Sequence, residues 1–278
     1  MRFVMHSYTF RAYPFEHAVT CAQRFGWQGI ELQPCHFNRE QFDADVADRV
    51  EKAAALGVPI VCVDFGGAFI SDTKADAEAA VIDMERQIET CGRLGVKLMN
   101  GCAGNLAGPN PMDFGANGSA LATDTHYERA ADAFRHLGGV AARHGVRIVF
   151  EIHMNTIHDT VASTVRLLDM IGLDNVQANP DPGNMFATST AEKSPDCLDA
   201  LDGRLGYFHF KNAFENGGIY NFSVSLERGQ IDIYKWMEKL CALGYDGDIC
   251  VEFCGDGDPH GPAQEDRAYL QRCLDWIR

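Results

Sequence analysis

"THYERAADAFRHLGGVAARHGVRIVFEIHMN", residues Thr125–Asn155, carries the pattern that decides the fold. Its first part sets apolar side chains at helical spacing and ends on Gly145, a residue suited to the left-handed conformation that closes a helix. Arg147–His153 follows as a run of Ile, Val and Phe that reads as a buried strand. Glu151 and His153 stand at its end. Side chains two apart on a strand share a face, so the carboxylate and the imidazole are expected to point into one space. An apolar core has no use for them there, and a reaction site does.

The same module recurs along the whole chain. Strands are expected at Phe3–Tyr8, Gly29–Gln33, Pro59–Asp64, Lys97–Cys102, Arg147–His153, Val176–Asp181, Tyr207–Lys211 and Asp248–Phe253. Helical patterns lie between them, among them "FEHAVTCAQRFG", "DAEAAVIDMERQIETCGRLG" and the weaker "SPDCLDALDG". Gly26, Gly57, Gly95, Gly145, Gly172 and Gly244 each fall just before a strand, as helix-closing glycines do. Eight strands each followed by a helix predict an α/β protein, a single (β/α)8 TIM barrel over residues 1–278. An open doubly wound sheet is the second choice, weakened by the lack of a GxGxxG after the first strand. Long Gly- and Asn-rich loops at 103–124 and 212–231 suggest a covered pocket at the C-terminal strand ends.

Composition narrows the function classes. A formal net charge of −15 repels phosphate backbones and anionic lipid; nucleic acid and membranes are not the expected partners. No apolar run reaches the length of a membrane span, and "MRFVMHSYTF" reads as a strand and not as a signal peptide. Ten cysteines without a CxxC pair are expected to be reduced core residues of a cytoplasmic protein. His17, His126, His136, His144 and His158 fall in helical or loop patterns and are expected in solvent.

The expected strand ends then supply His6, Glu31, Asn100, Glu151, His153, Asp181, Asn184, His209, Lys211 and Glu252. Four adjacent strands contribute Glu151, Asp181, His209 and Glu252. Three carboxylates and an imidazole at one point repel one another and are costly to desolvate unless a cation joins them. Oxygen-rich ligation with one imidazole suits Mn²⁺ best, with Mg²⁺, Co²⁺ or Zn²⁺ as alternatives. Singly, each residue could equally be structural: a glutamate meeting a cation, or a histidine satisfied inside an aromatic cluster.

"FEIHMNTIHDT", "NPDPGNMF", "YFHFKN" and "LERGQIDIYKWMEKLCALGYDGDICVEF" resemble the sugar phosphate isomerase/epimerase superfamily, the xylose-isomerase-like barrels that include ketose 3-epimerases. The resemblance spans essentially the full length. It implies Glu151, Asp181, His209 and Glu252 as ligands of one divalent metal, with Glu151 and Glu252 doubling as the acid/base pair. It also implies that Lys211 and His153 face the substrate; His6, Glu31, Asn100 and Asn184 are expected to bind substrate beside Lys211. Members are commonly dimers or tetramers, so a homo-oligomer is expected. Three positions depart from the ketose 3-epimerases: Ile157 replaces a glutamate, Asn184 a histidine and Glu215 an arginine.

The chemistry implied is proton abstraction beside a carbonyl, through a metal-bound enediolate. Reprotonation makes an isomerase or epimerase of a keto-sugar or related polyol. Loss of a β-hydroxyl makes a lyase, either a dehydratase or an enzyme cleaving keto-glycosides, and His153 would suit it as a base. A non-catalytic sugar-binding subunit should lack metal ligands, and all four are present. No Gly-rich phosphate loop or Arg cluster stands out, so an uncharged substrate is expected.

Overall fold

The computed structural model describes residues 1–278. The elements run β1 (Arg2–His6), α1 (Phe15–Phe25), β2 (Ile30–Leu32), α2 (Phe42–Ala55), β3 (Ile60–Phe65), α3 (Lys74–Arg93), β4 (Leu98–Gly101) and α4 (Asp124–His144). There follow β5 (Arg147–Glu151), α5 (Val161–Ile171), β6 (Val176–Asn179), α6 (Pro182–Ala187), β7 (Phe208–Phe210), β8 (Phe214–Asn216), β9 (Ile219–Asn221), α7 (Ile233–Ala242), β10 (Asp248–Val251) and α8 (His260–Ile277). Hydrogen-bonded neighbours in the eight-stranded parallel sheet are ordered β6-β5-β4-β3-β2-β1-β10-β7, the (β/α)8 alternation that the sequence predicts. The six glycines named above all take φ between 65° and 82°.

Contacts cluster in two units, Met1–Cys62 with Phe208–Arg278, and Val63–Tyr207. In the first, β1 pairs with β10 and β2, and β10 with β7. Its core holds Phe208 and Phe210, 4.8 Å apart as edge-to-face rings, with Trp236 against Phe208. The Trp27 indole N–H donates to the Ala263 carbonyl at 3.1 Å, tying the end of α1 to α8. In the second unit, β5 sits between β4 and β6. Phe65, Phe69, Phe134 and Phe150 pack as one aromatic cluster, with centroids as close as 4.7 Å. Each of these fully buried rings contributes roughly 1.5–3 kcal/mol. β4 ends in glycine because a Cβ at Gly101 would lie 2.3 Å from the Phe65 carbonyl oxygen.

The structure differs from expectation at particular places. β5 stops at Glu151, two residues short of His153. Ile152 still donates to the Asn179 carbonyl, but the chain then turns: Thr156 donates to the His153 carbonyl and Asn155 takes φ 64°. Similarly, β1 ends at His6 and not at Tyr8. The segment 194–203 forms only a 3₁₀ turn, Pro195–Leu201, closed by Asp202 at φ 47°. The short helix α6 and the hairpin β8–β9 were not expected.

His158 is also a correction: it is fully buried and not solvated. Its Nε2 accepts the Ala103 backbone N–H at 3.0 Å, satisfying a buried donor. Burial pushes its pKa down to about 4.

Candidate active site

Within the first unit, the ends of β1, β2, β7 and β10 carry a connected polar cluster. His6 is the last residue of β1 and is in register with Glu31 of β2. Glu31 is entirely buried. Its Oε2 lies 2.8 Å from His209 Nε2, and its Oε1 accepts from the Gln33 amide at 2.9 Å. His6 stands edge-on to His209, ring centroids 5.4 Å apart, with its Nε2 3.8 Å from Glu31 and its Nδ1 3.5 Å from Glu252. Lys211 donates to Glu252 Oε2 at 2.9 Å. Sequence alternation explains the placement: in "YFHFK", Phe208 and Phe210 face one side and His209 and Lys211 the other.

The second unit brings together the ends of β4, β5 and β6. Glu151 closes β5, in register with Asn179. Its Oε1 accepts from the Asn184 amide at 2.7 Å and its Oε2 from the Asn100 amide at 3.3 Å. Asn179 donates to Asn100 Oδ1 at 2.9 Å, bracing that amide from behind. Asp181 caps α6: its Oδ1 accepts the backbone N–H groups of Gly183 and Asn184 at 2.7 and 3.2 Å, and Pro182 fills the first helical position. Oδ2 lies outside the cap. His153, beyond the strand, is turned so that Nδ1 meets the Met154 carbonyl at 3.0 Å. A cavity of about 360 Å³, lined by Gly66, Cys102, Gly104 and Asn105 among others, opens beside the ends of β3 and β4.

Each unit thus gathers its own expected residues: His6, Glu31, His209, Lys211 and Glu252 in the first, and Asn100, Glu151, Asp181 and Asn184 in the second. His153 is joined to the second by the chain alone. Two members escaped the sequence reading. Gln33 could have been found two residues past Glu31 on the same strand face, and Asn179 as a polar residue ending an apolar strand.

The residues present suit a divalent cation. In the first unit one ligand atom each of His6, Glu31 and His209 lies within 4.8 Å of the others, all three residues buried. In the second, the Asn184 Oδ1 is buried without a hydrogen-bond partner beside Glu151. A buried carboxylate holding one ring nitrogen of a histidine is the arrangement that orients metal-ligating imidazoles.

Three positions expected to depart from the ketose 3-epimerases have other employment here. Ile157 is fully buried, and its carbonyl accepts the Tyr127 hydroxyl at 2.7 Å. Asn184 is engaged with Glu151. Glu215, in the β8–β9 hairpin, accepts the Gly218 N–H at the turn.

An inosose dehydratase of Lacticaseibacillus casei is 30% identical over 145 residues, 47% of this chain and 48% of that protein; the match thus spans about half of that relative's length. An inosose dehydratase of Mesomycoplasma hyopneumoniae (strain 7448) is 22% identical over 281 residues, covering 95% of this chain and 88% of the relative. Among solved structures, an L-ribulose 3-epimerase superposes with a TM-score of 0.80 at 19% identity, covering 100% of this chain and 95% of its own. A protein named IOLI, with a bound zinc atom, superposes at 0.78 and 15% identity, covering 100% and 98%. The family described as xylose isomerase-like TIM barrel matches residues 19–273. The chain belongs to the xylose isomerase-like TIM barrel family.

Proposed function

We propose that this chain is a divalent-metal-dependent enzyme that removes a proton beside the carbonyl of a keto-sugar or related polyol and returns it as an isomerase or epimerase. The observation that carries the reading is the buried His209–Glu31 pair at 2.8 Å, an imidazole oriented as metal ligands are. Glu151, Asp181, His209 and Glu252 would hold the ion, with Mn²⁺ the first choice and Mg²⁺, Co²⁺ or Zn²⁺ the alternatives. When bound there, a divalent ion would supply Lewis acidity toward the substrate carbonyl.

The residues' own work follows from their partners. Glu151, steadied by the Asn184 and Asn100 amides, takes the proton from the carbon beside the carbonyl. Glu252, held by Lys211, returns a proton. His153 orients the substrate or serves as a further acid/base. His6, Asn100, Asn184 and Lys211 bind substrate hydroxyls, and Glu31 positions His209. No helix is long and apolar enough to cross a membrane. A cytoplasmic homo-oligomer, a dimer or tetramer, completes the reading.

A second reading, loss of a β-hydroxyl as water, is favoured by one observation. Ile157, Asn184 and Glu215 occupy the positions of ketose recognition and do other work, while the sequence relatives named above are dehydratases.

The test begins with elemental analysis of protein purified without chelators, beside Asp181→Ala. About one ion per wild-type chain bound at this centre, absent in the variant, is expected. A panel of keto-sugars and keto-polyols in D₂O then separates the outcomes. Solvent deuterium in an epimer or isomer supports the first reading, and an unsaturated or deoxygenated product the second. A chain that takes up no ion sensitive to Asp181, even with excess Mn²⁺, would overturn both.

A further inference from the structure

We propose that His17, Cys21 and His260 form a second cation site, for a borderline-soft divalent ion of the Zn²⁺ kind, separate from the strand-end centre. All three lie in the first unit. Helix α1 sets His17 and Cys21 four residues apart on one face, and His260 opens α8. His17 Nε2 is 2.9 Å from His260 Nε2 and 3.5 Å from Cys21 Sγ. The three donor atoms all lie within 4.8 Å of one another.

Those lengths are close to the edges of a coordination tetrahedron. Zn–N of about 2.05 Å and Zn–S of about 2.3 Å put two nitrogens roughly 3.3 Å apart and a nitrogen and a sulfur roughly 3.6 Å apart. Two edges are therefore within a few tenths of an ångström. The remaining one, Cys21 to His260, is no longer than 4.8 Å.

The surroundings are those of a built site. His260 Nδ1 is bonded to the Asp258 carboxylate, which fixes the tautomer and turns Nε2 inward as a lone-pair donor. Tyr13 stacks on the His17 ring at 4.6 Å and 15°, holding its plane, and Phe10 meets both imidazoles edge-on at 5.7 and 5.2 Å. Cys21 is buried, while His17 and His260 are half-buried. The proposed reaction uses none of these side chains. An ion here would tie α1 to the loop that runs from Glu252 to His260.

Cobalt distinguishes this site from the strand-end centre, which has no sulfur ligand. Chelator-stripped full-length protein titrated with Co²⁺ should develop a thiolate-to-cobalt charge-transfer band that saturates within two equivalents, one for each centre. Cys21→Ser should abolish the band, His260→Gln should weaken its affinity about tenfold or more, and Asp181→Ala should keep it. Far-UV circular dichroism checks that each variant is folded. Absence of the band at saturating Co²⁺, or its survival in Cys21→Ser, overturns the site. Should Cys21→Ser not fold, an unchanged affinity in His260→Gln overturns it alone.

Discussion

Glu31 has no exposed surface, yet it is a carboxylate, so its neighbours must answer for its desolvation. Gln33 and His209 do so on separate oxygens. In the proposed centre this makes Glu31 the residue that aims His209. Glu31→Gln keeps the shape but loses the charge behind the ring. Mn²⁺ affinity, measured by titration calorimetry, is expected to fall about 10- to 100-fold with the fold unchanged. An affinity equal to wild type would mean that Glu31 does not position His209 for the ion. Glu252 is tested differently, because it is proposed both to hold the ion and to move a proton. Turnover of Glu252→Gln is expected to fall by about 10²- to 10⁴-fold on any substrate the D₂O panel identifies. Wild-type turnover would rule out the two-carboxylate scheme.

Helix α5 shows what a single element's end contributes. The Thr160 hydroxyl accepts the Ser163 backbone N–H at 2.9 Å, and Ser163 Oγ accepts the Thr160 N–H in return. Thr160→Ala is expected to cost about 1 kcal/mol, read as a lower urea midpoint with an unchanged slope. Elements of this length, α1, α3, α4, α5 and α7 among them, were legible because 3.6-residue periodicity has room to repeat. Helix α6 was not, since six residues hold less than two turns. Its one signal was Asp181-Pro182, an N-cap followed by the residue suited to the first helical position. The β8–β9 hairpin likewise hid in a polar loop, although Asn216-Gly217-Gly218 is turn chemistry, with both glycines at positive φ. At the site, alternation placed Glu31 and His209 on their strands, while β7 stops at Phe210 and leaves Lys211 one residue beyond it. It could not show where β5 stops, because Ile152 stays fully buried after the ladder ends. That is why His153 reads as a strand residue and is not one. His158 was misplaced for a different reason: its burial answers an N–H at Ala103, far away in sequence.

Across the whole molecule two buried groups set opposing pH dependences on a chain that already carries a net charge of −15. Asp266, in α8, accepts the Leu226 N–H at 2.7 Å, but burial dominates and raises its pKa from 3.8 to about 7. Between those values the native state keeps a proton that the unfolded chain has lost, so stability declines as pH rises from about 4 to about 7. His158 works the other way. Its native pKa of about 4 lies below the ordinary 6.5, so the unfolded chain takes the proton first and stability declines as pH falls through that window. The two slopes largely cancel from about pH 4 to about 6.5, leaving the Asp266 loss exposed above it. Asp266→Asn keeps an oxygen for Leu226 and removes the ionisation. It is expected to match wild type near pH 4 and to exceed it at pH 8, by up to roughly 4 kcal/mol for a shift of about three units. Urea unfolding at pH 4, 5.5 and 8 measures the difference. His158→Gln should flatten the opposite limb, lessening the loss of stability below about pH 6.5. An Asp266→Asn protein no more stable than wild type at pH 8 would mean that the native chain releases this proton well below neutrality, and that burial around α8 is looser than the structure indicates.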